Sequence, residues 1–494
     1  MIAGGGQITV TEGDAPEPLD MLAEAARRAE SDTGAAGVLA AADALAVVKI
    51  LSRRYGDPGA QVAAMVGARP RLTVYSTDGG DTPMALVATM AERIQAGELD
   101  VAVVGGSEAW RTRQAYRQGG ARATDQAPGG GAQPPWPGRD RDAAPVESFG
   151  VPLVLGAPEE HALGLLLPVQ FYPIFENALM AAAGRHPADH LACVATLWAG
   201  FSEVAASNPY AALPRRYSAA EIATITPANR MVCYPYTKLL NSNSHVDQAA
   251  AVVVCSVGAA RRLGIPPERW VFLHGAATAS DTPAVGNRWS LAASPAIAAA
   301  GHAALAAAGV APGDVEEVDL YSCFPSAVQV AAAALGLDEG RPITVTGGLT
   351  FAGGPWNNYT THALATMVGR LRARPEATGL CTANGGLLTK HAVGVLACRP
   401  PPGPLAVQRS HPALDAAPTR VLAQDYRGPA RLESFTVAHG RDGAPERAFL
   451  ACLLPDGRRA WAASTDAGTM AELEQADTVG RPVDLHRGGA ALGA

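Results

Sequence analysis

Tyr321 and Cys323 are the side chains best placed for chemistry in this 494-residue chain, within Val318-Asp319-Leu320-Tyr321-Ser322-Cys323-Phe324-Pro325. An alternating strand is expected to stop at Tyr321. Pro325 then opens a helix with Ala327, Val328, Ala331, Ala332 and Leu335 at helical spacing, closed by Gly336. A phenol and a thiol therefore fall on a strand-to-helix turn, and in α/β sheets ligands collect beyond the carboxyl ends of the strands. A phenol with a reference pKa of about 10 stays protonated at neutral pH and suits donation to an oxygen that gains charge. The Cys323 thiol is reactive only where its surroundings favour the thiolate, and otherwise packs as a small apolar group. His245 and Asp247 precede the apolar run up to Cys255. A histidine beside an acid is either a tuned base or a structural hydrogen bond.

The elements that must position these groups read as α/β. Leu19 to Thr33 is an amphipathic helix and Leu72 to Tyr75 a short strand. After Gly79-Gly80, Thr82 is the expected N-cap with Pro83 at the first helical position, and Gly97 ends that helix. Leu99 to Val104 is a continuous apolar strand expected to end at Gly105-Gly106, which completes a unit of a mostly parallel sheet. Gly119 to Asp142 reads as a long irregular loop, followed by helices near Pro173–Gly184 and His190–Ala206. A strand expected over 245–256 returns the chain to the core. Beyond it, Ile343 to Thr346, a helix around Thr360 to Arg372, and Gly379-Leu380-Cys381 echo the order of residues 72–106. Pro400 to Pro404 is a stiff linker. Arg431–Val437, Arg447–Leu453 and Arg459–Ala463 alternate as a small antiparallel β-barrel would. The expected divisions are 1–115 with 232–258, 116–231, 259–400, a linker over 401–417, and 418–494.

Composition narrows the function. The chain is 48% hydrophobic with a net charge of −7, which argues against nucleic acid as a partner. No apolar run has the length of a membrane span, and Met1 to Gly5 has neither a charged start nor an apolar signal core. The seven cysteines contain no CxxC pair, so neither a disulfide framework nor a zinc site is expected, and a reduced cytoplasmic setting fits.

The Tyr321 turn resembles the NEAF turn of thiolases and the HDCF turn of sterol-carrier-protein-type thiolases. Three further turns match thiolase motifs. Asp78 to Pro83 matches the turn of the nucleophilic cysteine, with Gly80 at that position. Gly347 to Pro355 matches GGxxxxGHP, with Gly354 at the histidine. Ala383-Asn384-Gly385-Gly386 matches CxGG, with Ala383 at the acid/base cysteine. The glycines and the proline that shape these turns remain, and the three reacting side chains are absent. Together with GSEAWRTR, NSNSHVDQAA, GGLTFAGGPWNNY and NGGLLTKHAVGV, the chain resembles actinobacterial thiolase-like proteins type 1 across nearly its whole length.

That resemblance implies the thiolase fold: two duplicated α/β halves layered α-β-α-β-α, plus the C-terminal β-barrel. It implies a coenzyme A thioester as substrate, with no metal. It also implies C–C bond formation or cleavage without a covalent cysteine intermediate, aldolase-like or acyltransferase-like, in lipid or secondary metabolism. The alternative is a non-catalytic acyl-CoA or acyl-carrier binding protein, or a partner subunit, as monomer or homodimer. The catalytic candidates are Tyr321, His245 and Cys323. Gly80, Asp81, Gly354, Asn358, Tyr359 and Asn384 are the substrate-binding candidates. Tyrosine stands at the Tyr321 place in steroid side-chain aldolases of the superfamily. Those enzymes carry a second tyrosine near the GHP-like turn, where this chain has Phe351, and Asn358 and Tyr359 stand close enough in sequence to compensate. Cys381 and His391 read as structural.

Overall fold

The computed structural model describes residues 1–118, 134–475, 477–486 and 489–493. Part of the irregular loop expected over 119–142 lies outside the described residues. The first sheet runs Ile2–Thr9, Asp247–Cys255, Val101–Ala109, Ala44–Val47, Leu72–Ser76, Glu147–Phe149. Ala44–Val47 pairs in parallel with both its neighbours, whereas Asp247–Cys255 is antiparallel to the strands on either side of it. The second sheet runs Glu317–Asp319, Thr378–Gly385, Lys390–Ala397, Phe272–Ser280, Ala406–Gln408.

Five layers follow from which faces are apolar. Helices Thr82–Gln95 and Tyr359–Ala373 lie between the sheets. Their Met84, Val87, Leu364 and Met367 join Val74 and Val252 of one sheet and Cys381 and Leu396 of the other in a single core. Pro18–Thr33 covers the outer face of the first sheet. It sits so close that a Cβ on Gly4 or Gly6 would strike the carbonyl oxygens of Ala29 and Ala25. Pro295–Ala308 and Pro325–Leu335 cover the outer face of the second sheet, and the inserted helix Pro168–Ala182 packs in turn on Pro325–Leu335 and on the C-terminal strand Gly428–His439. This is the expected thiolase fold of two layered halves.

Several local expectations change. The strand over 101–109 runs through Gly105-Gly106, because both glycines pair with Ala250 and Ala251 of the neighbouring strand. Helix Thr82–Gln95 takes Asp81 as its N-cap, without a side-chain cap bond, and Thr82 instead donates to the Gly79 carbonyl. Residues 343–346 form no strand. The buried Asp319 carboxylate accepts from Val345 N and from the Thr344 hydroxyl there, which holds the segment as a loop. Pro173 lies inside its helix instead of opening it. The segment expected as a linker contributes Ala406–Gln408 to the second sheet.

The C-terminal region forms an antiparallel sheet ordered Arg459–Ser464, Pro445–Leu453, Gly428–His439, Pro482–His486, Gly489–Leu492. Met231–Cys233 from the inserted region pairs onto Gly428–His439. Arg459, fully buried, joins this sheet to the second half. It holds Glu433 through two guanidinium nitrogens and donates to the carbonyls of Gly286 and Arg288.

A closed turn cluster and an open groove

The strand Glu317–Asp319 ends two residues short of Tyr321, and helix Pro325–Leu335 begins beyond Phe324. Asp319 anchors the turn. Its carboxylate receives the Tyr359 hydroxyl at 2.9 Å, the Thr344 hydroxyl at 3.0 Å and Val345 N at 2.9 Å. Burial raises its pKa to about 6 despite these donors.

The Tyr321 hydroxyl occupies the space beside Gly80. A Cβ built on Gly80 would lie 2.5 Å from the Asn384 carbonyl oxygen and closer still to the Tyr321 hydroxyl. Tyr321 N donates to the Thr382 hydroxyl at 2.8 Å, and the ring meets Tyr359 edge-on at 5.3 Å. Burial drives the phenol pKa well above its usual range, with Cys323 and Asp81 adding to the shift, so Tyr321 is a neutral donor.

Cys323 lies beside it, and burial pushes its thiol up to about 12. It is therefore no thiolate at neutral pH. The Asn384 amide nitrogen lies 3.7 Å from the Cys323 sulfur and donates to the Tyr172 hydroxyl at 2.9 Å. Tyr172 comes from the inserted helix Pro168–Ala182. Its hydroxyl donates to the Gly386 carbonyl and accepts from Leu388 N, while its ring stacks on Phe324 at 4.3 Å. Sequence reasoning did not single out Tyr172. The one available signal was the aromatic run Phe171-Tyr172 in a segment between core strands.

The other turns are filled as well. The Asp81 carboxylate occupies the space beside Gly79 and Gly385, 3.5 Å from the Lys390 ammonium. Burial raises its pKa and Lys390 opposes that. Asn357 accepts from Gly79 N at 2.9 Å and pins the same turn. A Cβ on Gly354 would strike the Ser242 hydroxyl, so Ser242 fills the space beside that glycine. Asn358 donates to the Gly106 carbonyl at 2.6 Å and accepts from Thr361, and Tyr359 is committed to Asp319 and Thr346. The cavity left beside Tyr321, Asn384 and His391 has a volume of about 10 Å³, room for one water at most. His391 is buried there, 3.5 Å from the Ser294 hydroxyl, and burial lowers its pKa to about 3.

Tyr321, Cys323, Gly80, Asp81 and Asn384 thus come together. His245 does not join them. It is exposed on a separate open groove of about 630 Å³, with Lys238, Arg111, Ser242 and Asn243. Its Nδ1 lies 3.0 Å from the Gln114 amide oxygen. Asp247 is bound instead by Thr112, through both N–H and hydroxyl, and by Arg111 at 2.9 Å, so no His–Asp pair forms. Ser242 links the two regions, lining the groove while filling the space at Gly354. Among the described residues no three His, Cys, Asp or Glu side chains are grouped to hold a metal ion, and no helix is long and apolar enough to cross a membrane.

Residues 411–490 match the family described as thiolase-like protein type 1 additional C-terminal domain. The structure is similar to that of a monomeric SCP2-thiolase-like protein type 1 from Mycobacterium smegmatis, at 30% identity and a TM-score of 0.82, covering 100% of this chain and 98% of that one. An Ltp2-ChsH2(DUF35) aldolase gives a TM-score of 0.60 at 19% identity, over 81% of this chain and 97% of that one. A human mitochondrial 3-ketoacyl-CoA thiolase in complex with CoA gives 0.54 at 16% identity, over 80% of this chain and 97% of that one. At those identities the likeness is one of fold. A curated acetyl-CoA acetyltransferase of Methanothermobacter thermautotrophicus is 29% identical over 187 residues, 34% of this chain and 47% of that protein, so the chain spans about half the length of that relative.

Proposed function

The chain belongs to the thiolase-like protein type 1 family, and from that premise we propose that it recognises acyl thioesters without forming an acyl-enzyme, as a binding protein or partner subunit. One observation carries this reading: the space of a nucleophilic side chain at Gly80 is taken by the Tyr321 hydroxyl and the Asn384 carbonyl. Covalent acyl transfer needs a nucleophile with a base beside it, and this cluster offers a protonated phenol and a protonated thiol. A cavity of about 10 Å³ admits no acyl chain. The carrier, coenzyme A or an acyl-carrier prosthetic arm, is assigned to the groove of about 630 Å³ lined by Lys238, Ser242, Asn243 and His245, where a lysine and an arginine suit phosphate groups. The CoA complex of the human thiolase and the two-component name of the Ltp2-ChsH2(DUF35) aldolase support a thioester ligand and a partner protein. All seven cysteines are free, which suits a cytoplasmic setting.

Calorimetric titration with acetyl-CoA and longer acyl-CoAs tests the assignment. Saturable binding, weakened by Lys238→Ala and without thiolysis, is the expected result. Absence of binding to coenzyme A and acyl-carrier thioesters alike would remove it.

The second reading is C–C chemistry without a covalent intermediate, with Tyr321 donating to a thioester or β-oxygen. Its support is the protonated phenol held beside Asn384 at the former nucleophile position. It requires Tyr172 to move away. Turnover of a β-hydroxyacyl or β-ketoacyl thioester that falls about a hundredfold in Tyr321→Phe would establish this reading over the first.

A further inference from the structure

The helix Ala467–Gln475 lies on the C-terminal sheet with Met470 and Leu473 buried in the core of that sheet. Three polar contacts fix it along its length. Asp466 accepts from Thr469 N at 2.7 Å at its start, and Glu472 pairs with Arg481 at 2.8 Å. In its last turn, Glu474 meets the His439 Nε2 at 2.5 Å, where the strand Gly428–His439 ends. Glu474 and Gln475 also line a cavity of about 280 Å³, together with Leu191, Val194, Tyr234 and Pro235, so the end of the helix is one wall of its mouth.

The last of these contacts depends on charge. The second ring nitrogen of His439, Nδ1, lies 2.9 Å from the Gly443 carbonyl oxygen. A carbonyl and a carboxylate both accept, so the ring makes both bonds only with a hydrogen on each nitrogen, as an imidazolium. A carboxylate in the last turn of a helix faces the negative end of the helix dipole, which makes Glu474 dependent on that cation. The other charged and titratable groups around the pair do not replace it. Arg230, which opposes the charge on His439, donates to the Met231 carbonyl at 2.8 Å, and Arg481 is held by Glu472. Cys233 pairs beside the strand end and burial pushes its thiol up to about 12, while burial and Glu474 raise the Tyr234 phenol. Glu446 stands against Gly440, and Asp442 accepts from Ala444 N at 3.1 Å.

We propose that His439 and Glu474 form a pH-operated latch: protonated His439 holds the last helical turn down on the sheet, and loss of that proton to solvent frees the turn and widens the mouth of the cavity. Burial opposes the charge on His439, and the bonds to Glu474 and Gly443 outweigh it, so its pKa is raised above 6.5. The stabilisation is therefore fully present below the unfolded value and is lost as pH rises through the folded one. The latch is independent of the thioester assignment, because neither of its residues lines the groove or the space beside Tyr321.

The test is amide hydrogen exchange of the full chain, read by mass spectrometry on the peptide covering Ala467–Gln475 at about pH 6 and about pH 9 and corrected for the intrinsic pH dependence of exchange. Protection of this peptide is expected to fall on the order of tenfold between the two conditions, while that of strand Pro445–Leu453 stays constant. His439→Gln is neutral throughout and should show the low protection at both. Glu474→Gln should do the same, and should lower the midpoint at which the His439 ring protons titrate by NMR. Should either variant fail to fold, the wild type decides alone: His439 should titrate above 6.5, in step with the loss of protection. Constant corrected protection in the wild type, the wild-type pH dependence in His439→Gln, or a His439 midpoint at or below 6.5 would overturn the proposal.

Discussion

The Tyr321 cluster and the His245 groove meet at Ser242, yet one is packed like a core and the other is open to water. At the cluster the spaces beside the turn glycines are occupied. Tyr321 and Asn384 fill the place at Gly80, Asp81 the space beside Gly79 and Gly385, and Ser242 that at Gly354. At the groove, His245 and Lys238 remain exposed and keep polar neighbours. Glycine and proline keep the turns close, and neighbouring side chains then close the gap, because interiors tolerate few voids.

The largest effect that would break this contrast is loss of the Asp319 anchor. Asp319→Ala leaves Val345 N and the Tyr359 and Thr344 hydroxyls without their acceptor. It should cost about 3 kcal/mol or more, at roughly 1–3 for each stranded group, measured by urea unfolding. A loss under about 1 kcal/mol would mean that the turn does not depend on it.

The same carboxylate gives a pH dependence of comparable size. Its pKa rises from 3.8 to about 6 on folding, so the proton is bound more tightly in the native state. The stabilisation is fully present below the unfolded value and is lost as pH rises through the folded one. The loss is on the order of 3 kcal/mol. Glu108, raised by burial from 4.5 to about 7, acts in the same direction. The stability of the wild type relative to Asp319→Asn should therefore fall between about pH 4 and pH 7. A flat or rising difference contradicts this.

Gly80→Cys sharpens the comparison. A thiol-bearing side chain at that position is forced against the Tyr321 hydroxyl, and should cost about 1–3 kcal/mol without conferring thiolase activity. Gain of thiolysis would mean that the cluster opens readily. The smallest stability effect belongs to the groove. His245→Ala should change stability by less than about 0.5 kcal/mol while lowering acyl-CoA affinity several-fold in calorimetry. An unfolding shift above about 1 kcal/mol would show that His245 is structural after all.

Much of this was legible in the sequence for a definite reason. The turn motifs depend on glycine and proline, whose backbone constraints are local, so GGDTP, GGLTFAGGP and NGG announced the layered fold. What could not be read was the tertiary filling. Tyr172 reaches Asn384 across 212 positions of chain. Asp247 turned to Thr112 and Arg111 instead of His245, because the strand begins only at Asp247 and His245 lies on the loop before it, beside Gln114. The bend at 343–346 was missed for a related reason: the hydrogen bonds that a strand would have made go to the Asp319 carboxylate.

The most direct test of the account is the intact mass of the wild-type protein after incubation with acetyl-CoA, with peptide mapping of its cysteines. An unchanged mass is predicted, because Gly80 has no side chain to acylate and burial holds the neighbouring Cys323 and Cys381 as thiols, with pKa values raised above the ordinary range. A stable acetyl adduct on Cys323 or Cys381 would contradict it and make the chain a rearranged thiolase.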